Sequence, residues 1–145
     1  AGLSVRIVPG LPSGLAGPAL AGIPATVRTI NHAVILATGH RAVDDETAAA
    51  WGKLARTGQP IILFMAMANL AEIAAAFRNG GLADDTPAAI IENATTERER
   101  ILETTLGAVA SDAEAHGFAA PAIVVIGEIV TMREELRGFL LSWHS

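Results

Sequence analysis

Four stretches of this chain are apolar almost from end to end: HAVILAT (His32 to Thr38), PIILFM (Pro60 to Met65), PAAII (Pro87 to Ile91) and PAIVVI (Pro121 to Ile126). A strand without polar alternation cannot leave one face in water, so each needs cover on both sides. Helical patterns supply that cover. Ala48, Trp51, Leu54 and Ala55 form one apolar stripe, and Leu70, Ile73, Ala74 and Phe77 a second. Leu106, Val109, Ala110 and Ala113 form a third, and Met132, Leu136, Phe139 and Leu140 a fourth. Spacings of three and four residues place each set on one helix face. Doubly covered strands alternating with such helices predict a three-layer α/β sandwich, with a mixed, mostly parallel sheet and helices on both faces.

Local signals set the expected boundaries. Ser4 to Val8 reads as a further short strand, closed by Pro9-Gly10. Leu11 to Ile23 (LPSGLAGPALAGI) is small and smooth enough for a closely packed short helix, limited by Pro18. Asp44 or Asp45 is placed to cap the next helix, and Gly58 follows its stop. Asn69 with Glu72 three residues on has capping-box spacing, and Gly80-Gly81 ends that helix. Thr96 to Thr105 (TERERILETT under Thr96) fits a helix opened by Thr96 and Glu99, and equally an edge strand. Trp51 and Trp143 are expected as helix anchors.

Composition narrows the function classes. The 145 residues suffice for one compact domain, and a 51% apolar content argues against disorder. A formal charge of −5 argues against a general nucleic-acid surface. With no Cys there is neither a disulfide framework nor a thiolate metal site, as suits a cytoplasmic protein. His32, His40, His116 and His144 have no ligand-like spacing, so no metal is expected. The most apolar window, Ile61 to Phe77, is broken by Asn69 and Glu72 and changes period, so no membrane span is expected. P-loop, G-x-G-x-x-G, G-x-S-x-G and H-E-x-x-H motifs are absent. The chain lacks an initiating Met and opens almost directly on the first expected strand, which reads as a piece of a longer protein.

One stretch asks for more than packing. In ILFMAMANLAEI (Ile62 to Ile73), two thioethers and two methyl-sized side chains stand where a buried strand ends. Core filling is one reading. A pocket needing close backbone approach and a soft wall is the other.

An ordered series of phrases carries the reading further: RIVPG, LAGIPATVR, ILATGH, ILFMAMANLAEI, TPAAIIENATTERERILETTL and PAIVVIGEIVTMREEL. Over essentially the whole chain this series resembles the second half of the tetrapyrrole methylases, within them the branch that methylates uroporphyrinogen III to precorrin-2 for sirohaem or cobalamin synthesis. The resemblance implies a two-domain enzyme holding S-adenosylmethionine between its lobes. It implies that residues 1–145 are the C-terminal domain alone, without the N-terminal lobe that carries the Gly-rich donor loop and the acid/base residues. No catalytic residue is then expected here, and the chain alone is expected to be inactive. A tetrapyrrole substrate, the missing lobe and a homodimeric mate are the partners implied.

Carried over position by position, the resemblance implies donor contacts at Pro12, Ser13, Met65 and Ala94. Met65 matches the Met of a Tyr-Met-Gly motif, with Phe64 for the Tyr and Ala66 for the Gly. Ala94 matches the small residue of Glu-Asn-Gly-Thr, and Glu97-Arg98-Glu99-Arg100 stands where Pro-x-Gln-Arg is common. Ser13 and Thr95 are candidate polar partners for the sulfonium and the methionine carboxylate; Met67 is expected in the core. Arg28, beside Val27 where a His is frequent, is the substrate-side candidate. Arg98 and Arg100, alternating with Glu, fit a solvated face better than a carboxylate site, and His40 fits a satisfied turn residue. Two other readings stand beside this one: a precorrin methyltransferase domain of the same superfamily, and a non-catalytic dimerisation or binding module using the smooth Leu11 to Ile23 surface.

Overall fold

A computed structural model of the chain describes residues 2–140. Its strands are β1 (Ile35–Thr38), β2 (Ile61–Phe64), β3 (Pro87–Glu92), β4 (Arg100–Thr105) and β5 (Ala122–Ile126). Its helices are α1 (Ser13–Leu20), α2 (Asp45–Ala55), α3 (Leu70–Asn79), α4 (Val109–Ala115) and α5 (Met132–Leu140). The strands form one sheet in the order β1-β2-β5-β3-β4.

Burial on both faces is as expected for β2, β3 and β5, but not for the edge strand β1, whose Leu36 is 42% exposed. Ile61, Leu63, Ala88, Ile90, Val124 and Ile126 point to one side, into a core closed by Trp51 and Ala55 of α2, Ile73 and Phe77 of α3, and Val109 of α4. Ile62, Ala89, Ile91, Ile123 and Val125 point to the other, against Ala21 and Ile23 after α1 and Ile129 and Val130 before α5. Trp51 packs edge-on against Phe77, ring centroids 5.4 Å apart at 82°. Trp143 and His144 lie outside the described residues, as do the side chains of Phe139 and Leu140.

The sheet is mostly antiparallel, which corrects the expectation of a mostly parallel one. Only β1 and β2 pair in parallel; β2 with β5, β3 with β5, and β3 with β4 are antiparallel. The direction changes once, at the turn 93–99 between β3 and β4. That turn settles the ambiguous segment: Arg100–Thr105 is the edge strand. After it, α4 carries the chain across β3, and β5 enters between β2 and β3 running against both. An apolar run demands two covered faces whichever way it points, so composition is silent on direction.

Two local expectations also change. Ser4 to Val8 forms no strand. Leu3, Val5, Ile7 and Val8 are 76–87% exposed, because no edge of this sheet pairs with them. Asn69 does not cap α3; its amide donates instead to Gly39 O (2.7 Å) and Arg41 O (2.9 Å), fastening the loop after β1. Asp44 does cap α2, accepting from Thr47 N at 2.8 Å. Among the described residues, no helix is long and apolar enough to cross a membrane.

Helices α2 and α3 cross at contact distance through Gly52 and Gly80. A Cβ on Gly80 would stand 2.7 Å from Gly52 O and 2.9 Å from the Ala55 Cβ. Backbone cannot retreat as a side-chain tip can, so Gly80→Ala should cost about 1–3 kcal/mol. Urea unfolding should register this as a lower midpoint at unchanged slope; an unchanged midpoint would contradict the close crossing.

Candidate functional site

The C-terminal ends of β1, β2 and β3 share one edge of the sheet with the start of β5. A cleft of about 820 Å3 opens there. Ser13 at the start of α1, Phe64 and Met65 at the end of β2, and Met67 and Ala68 just beyond form one side; Asn93, Ala94, Thr96 and Arg98 of the 93–99 turn and Ala120 to Ile123 form the other. Its lining is predominantly apolar with a few polar groups, the composition of a small-molecule site.

The rim is strained. Met65 (φ 51°), Asn93 (φ 49°) and Thr95 (φ 68°) are the non-glycine residues of left-handed backbone. Such conformations cost about 1–2 kcal/mol each for side chains other than Asn, and they gather at functional sites. Met65 stands one residue past the last ladder pair, Phe64 with Ile123, and its side chain is 62% exposed. Ala66 is fully buried and packs under Gly39, where a Cβ would lie 2.9 Å from it. Met67 packs against the core and also lines the cleft. The Met-Ala-Met-Ala run thus serves both purposes: Ala66 packs in the core, Met65 and Ala68 wall the cleft, and Met67 does both.

Helix α1 closes the cleft from below because its glycines let it approach. A Cβ on Gly14 would strike the Phe64 ring, and one on Gly17 would come within 3.2 Å of the Ala94 Cβ. The smooth Leu11 to Ile23 surface is therefore used within the chain at Gly14 and Gly17, while Leu11 and Leu20 remain exposed.

The structure brings Ser13, Met65 and Ala94 together around one cleft. Pro12 is exposed beside them as the N-cap of α1, outside the lining. Arg28 is not brought to the cleft lining. It is exposed on a loop organised by buried Asn31, whose side chain accepts from Val27 N and donates to Ala25 O and Ala33 O. Thr95 gives way to Thr96 in the lining, because the Thr95 N–H is bound by the Glu99 carboxylate at 2.6 Å. His40 is a turn residue, its Nδ1 3.1 Å from Thr38 Oγ1.

Arg98 and Arg100 part company. Arg98 lines the cleft and is the one cationic side chain that does so among the described residues. Arg100 turns inward. Its Nε donates to Glu92 at 2.6 Å, its two terminal nitrogens to His116 O (3.2 Å) and Gly117 O (2.8 Å), and its guanidinium lies 4.3 Å from the Phe118 ring centroid. The side chain of Arg100 stays on a solvated face, 46% accessible, as expected, yet it also binds back onto the protein through its guanidinium. The signal missed in the sequence was pairing: in an antiparallel hairpin Arg100 sits opposite Glu92. The Arg100 hydrogen bond, then the Ala119 N–H (2.8 Å), hold the Glu92 carboxyl below its ordinary value against the opposing effect of burial.

Comparison with known proteins bears on this site. Residues 1–110 match the family model of Tetrapyrrole (Corrin/Porphyrin) Methylases. The uroporphyrinogen-III C-methyltransferase of Pseudomonas aeruginosa is 44% identical over 128 residues, covering 88% of this chain and 51% of that protein. The siroheme synthase of Chromobacterium violaceum is 37% identical over 144 residues, covering 99% and 30%. Among solved structures, cobalt precorrin-4 methyltransferase, a cobalamin biosynthetic enzyme, superposes with a TM-score of 0.78 at 27% identity, covering 89% of this chain and 54% of that one. The uroporphyrin-III C-methyl transferase of Thermus thermophilus, complexed with S-adenyl homocysteine, gives 0.71 at 26%, covering 90% and 55%. The chain spans about half the length of these methyltransferases.

Glu92 supplies a pH test. Its lowered folded-state pKa means that its stabilisation is complete above the unfolded-state value, near 4.5, and is lost as pH falls through the folded value. Glu92→Gln should therefore lower Tm at pH 7, and the gap to the wild type should narrow as pH falls below about 4.5. A gap constant from pH 7 to pH 3 would show that the carboxylate contributes nothing as an ion.

Proposed function

The chain belongs to the tetrapyrrole methylase family, and from that premise we propose that it is the C-terminal lobe of an S-adenosylmethionine-dependent uroporphyrinogen-III C-methyltransferase, supplying half of the donor site. The observation that carries this reading is the meeting of Ser13, Met65 and Ala94 around one apolar cleft with a strained rim. A planar purine fits between the soft Met65 and Met67 side and the methyl-lined Ala94 and Ala120 to Ala122 side. Freed peptide groups at the end of β2 can bond the purine edge, so adenine needs no dedicated side chain. Ser13 offers a hydroxyl for the polar tail, whereas the Thr96 hydroxyl is engaged within the turn, donating to Asn93 O and accepting from Arg98 N. Arg98 offers its guanidinium to the methionine carboxylate.

The substrate is taken to be a carboxylate-bearing tetrapyrrole that meets the donor from the side of the second lobe. A contributing support is the exposed apolar face of Leu3, Val5, Ile7, Val8 and Leu11, each at least 76% accessible. Large apolar side chains exposed together along one segment suit an interface, here with the other lobe or with a homodimeric mate. The relatives by sequence favour uroporphyrinogen III; the structural likeness to cobalt precorrin-4 methyltransferase keeps a precorrin substrate as the second reading. Methyl transfer would require the other lobe to position the attacking carbon, so the chain alone should convert no S-adenosylmethionine to product in a chromatographic assay.

Binding tests the donor site directly. With isotope-labelled chain and millimolar S-adenosylhomocysteine, amide shifts should concentrate at Ser13, Met65, Ala94 and their neighbours. Shifts absent there, or confined to the α2–α3 face, would overturn the donor reading. Arg98→Ala should weaken S-adenosylhomocysteine by about tenfold or more, the loss of one charge-assisted contact. It should leave 5′-methylthioadenosine, which lacks the carboxylate, unchanged. Equal weakening of both ligands would remove Arg98 from the carboxylate role.

A further inference from the structure

The cleft has a wall that the sheet ladder alone does not hold. Ala120 and Pro121 precede β5, and the preceding segment, 116–119, leaves α4 without regular structure. Asn93 N donates to Pro121 O at 3.0 Å. Besides the ladder pair Glu92 with Ala122 and the apolar packing of Phe118, the side-chain polar ties from the β3–β4 hairpin to this segment, among the described residues, come from a single ion pair. Glu92 and Arg100 form the last rung of that hairpin. Glu92 is 6% exposed, yet its two oxygens are both used: one takes the Arg100 Nε at 2.6 Å, the other the Ala119 N–H at 2.8 Å. The Arg100 fork then reaches the carbonyls of His116 and Gly117, and its flat face stacks on Phe118. Four consecutive residues, 116–119, thus meet one carboxylate and one guanidinium.

We propose that Glu92 and Arg100 are positioning residues, a clasp that fixes the 116–122 wall against the end of β3 and so sets the width of the cleft. The pair anchors both walls from behind. Asn93 and Ala94 follow Glu92 directly on one wall, and Ala120 and Pro121 follow Ala119 directly on the other. A slot held from both sides receives a flat ring without first ordering its own wall, and ordering a wall on binding would weaken affinity. Arg suits the task where Lys does not, because its rigid planar fork satisfies two carbonyls and a carboxylate together while stacking on an aromatic ring.

The test pairs amide hydrogen exchange with ligand titration in the wild type, Arg100→Lys, Arg100→Gln and Glu92→Gln. Lys keeps a cation facing Glu92 but lacks the fork. Gln at position 92 keeps an acceptor for the Ala119 N–H but lacks the charge. In Arg100→Lys and Arg100→Gln, exchange at Phe118 and Ala119 should rise more than about tenfold, while Leu63, Ile90 and Val124 in the sheet stay within about twofold. Glu92→Gln should raise Ala119 exchange less than either change at Arg100. The Arg100 variants should bind S-adenosylhomocysteine about tenfold more weakly. A uniform rise across the sheet would reduce the pair to ordinary stability and overturn the clasp. Unchanged exchange at Ala119, or looser walls with undiminished affinity, would overturn it too. The ligand arm rests on the donor reading above. If the wild-type chain binds no nucleoside, that reading fails, and the exchange results alone decide whether the wall is clasped.

Discussion

The site exists because β5 enters the sheet between β2 and β3 from the opposite direction. Had three parallel strands stood side by side, their carboxyl ends would have presented three loops in a row. With β5 inserted in reverse, its beginning arrives where β2 and β3 finish. Two chain ends leave and one enters at the same edge. The leaving ends diverge from the ladder at Met65 and Asn93, and the entering segment at Ala120 to Ala122 lies between them. Val124 and Val125 in the middle of β5 are wholly buried on opposite faces, so this central strand cannot shift without opening both cores. The floor of the cleft thus rests on the best-packed part of the molecule, and its shape follows from a change of strand direction.

Much of this was legible in the residues. The four wholly apolar runs became the central strands and β1, and the first three helix stripes fell in the core; the fourth runs to Phe139 and Leu140, whose side chains lie outside the described residues. Asp44 capped as its position demands. Direction was not legible, and the reason is specific. Parallel and antiparallel strands buried on both sides have the same composition, and the one reversing turn fell in the segment whose charges suit a helix as well as a strand. Ser4 to Val8 reads as a strand by its own alternation, but a strand is a relation between segments, and none in this sheet pairs with it. Asn69 had capping spacing, yet two loop carbonyls thirty and twenty-eight residues away made the better acceptors.

The site divides in the same way. Ser13, Met65 and Ala94 were visible as an ordered pattern, and geometry brings them to one place. Asn93, Thr96 and the Ala120 to Ala122 wall were not visible, because nothing local links residue 93 to residue 121. Arg98 and Arg100 differ most instructively. Two arginines in an alternating Glu-Arg-Glu-Arg run look equivalent, but one falls in the turn and the other in the strand, and this gives them different surroundings. Arg100 lies in the ladder opposite Glu92 and turns to the protein, while Arg98, still in the turn, keeps its charge for the cleft. Acidic composition alone hid a cation placed beside an apolar slot.

The left-handed backbone at Met65 and Thr95 has an evolutionary corollary. Glycine would relieve the steric conflict at both positions but would also loosen the unfolded chain, so any gain in heat resistance is the difference of two opposing effects. Where relief wins, a laboratory campaign scoring only survival at high temperature would select Met65→Gly and blunt the slot by removing the thioether that walls it. Tolerance maps of the chain should be scored for ligand retention alongside melting, since at this edge the two criteria would then pull in opposite directions.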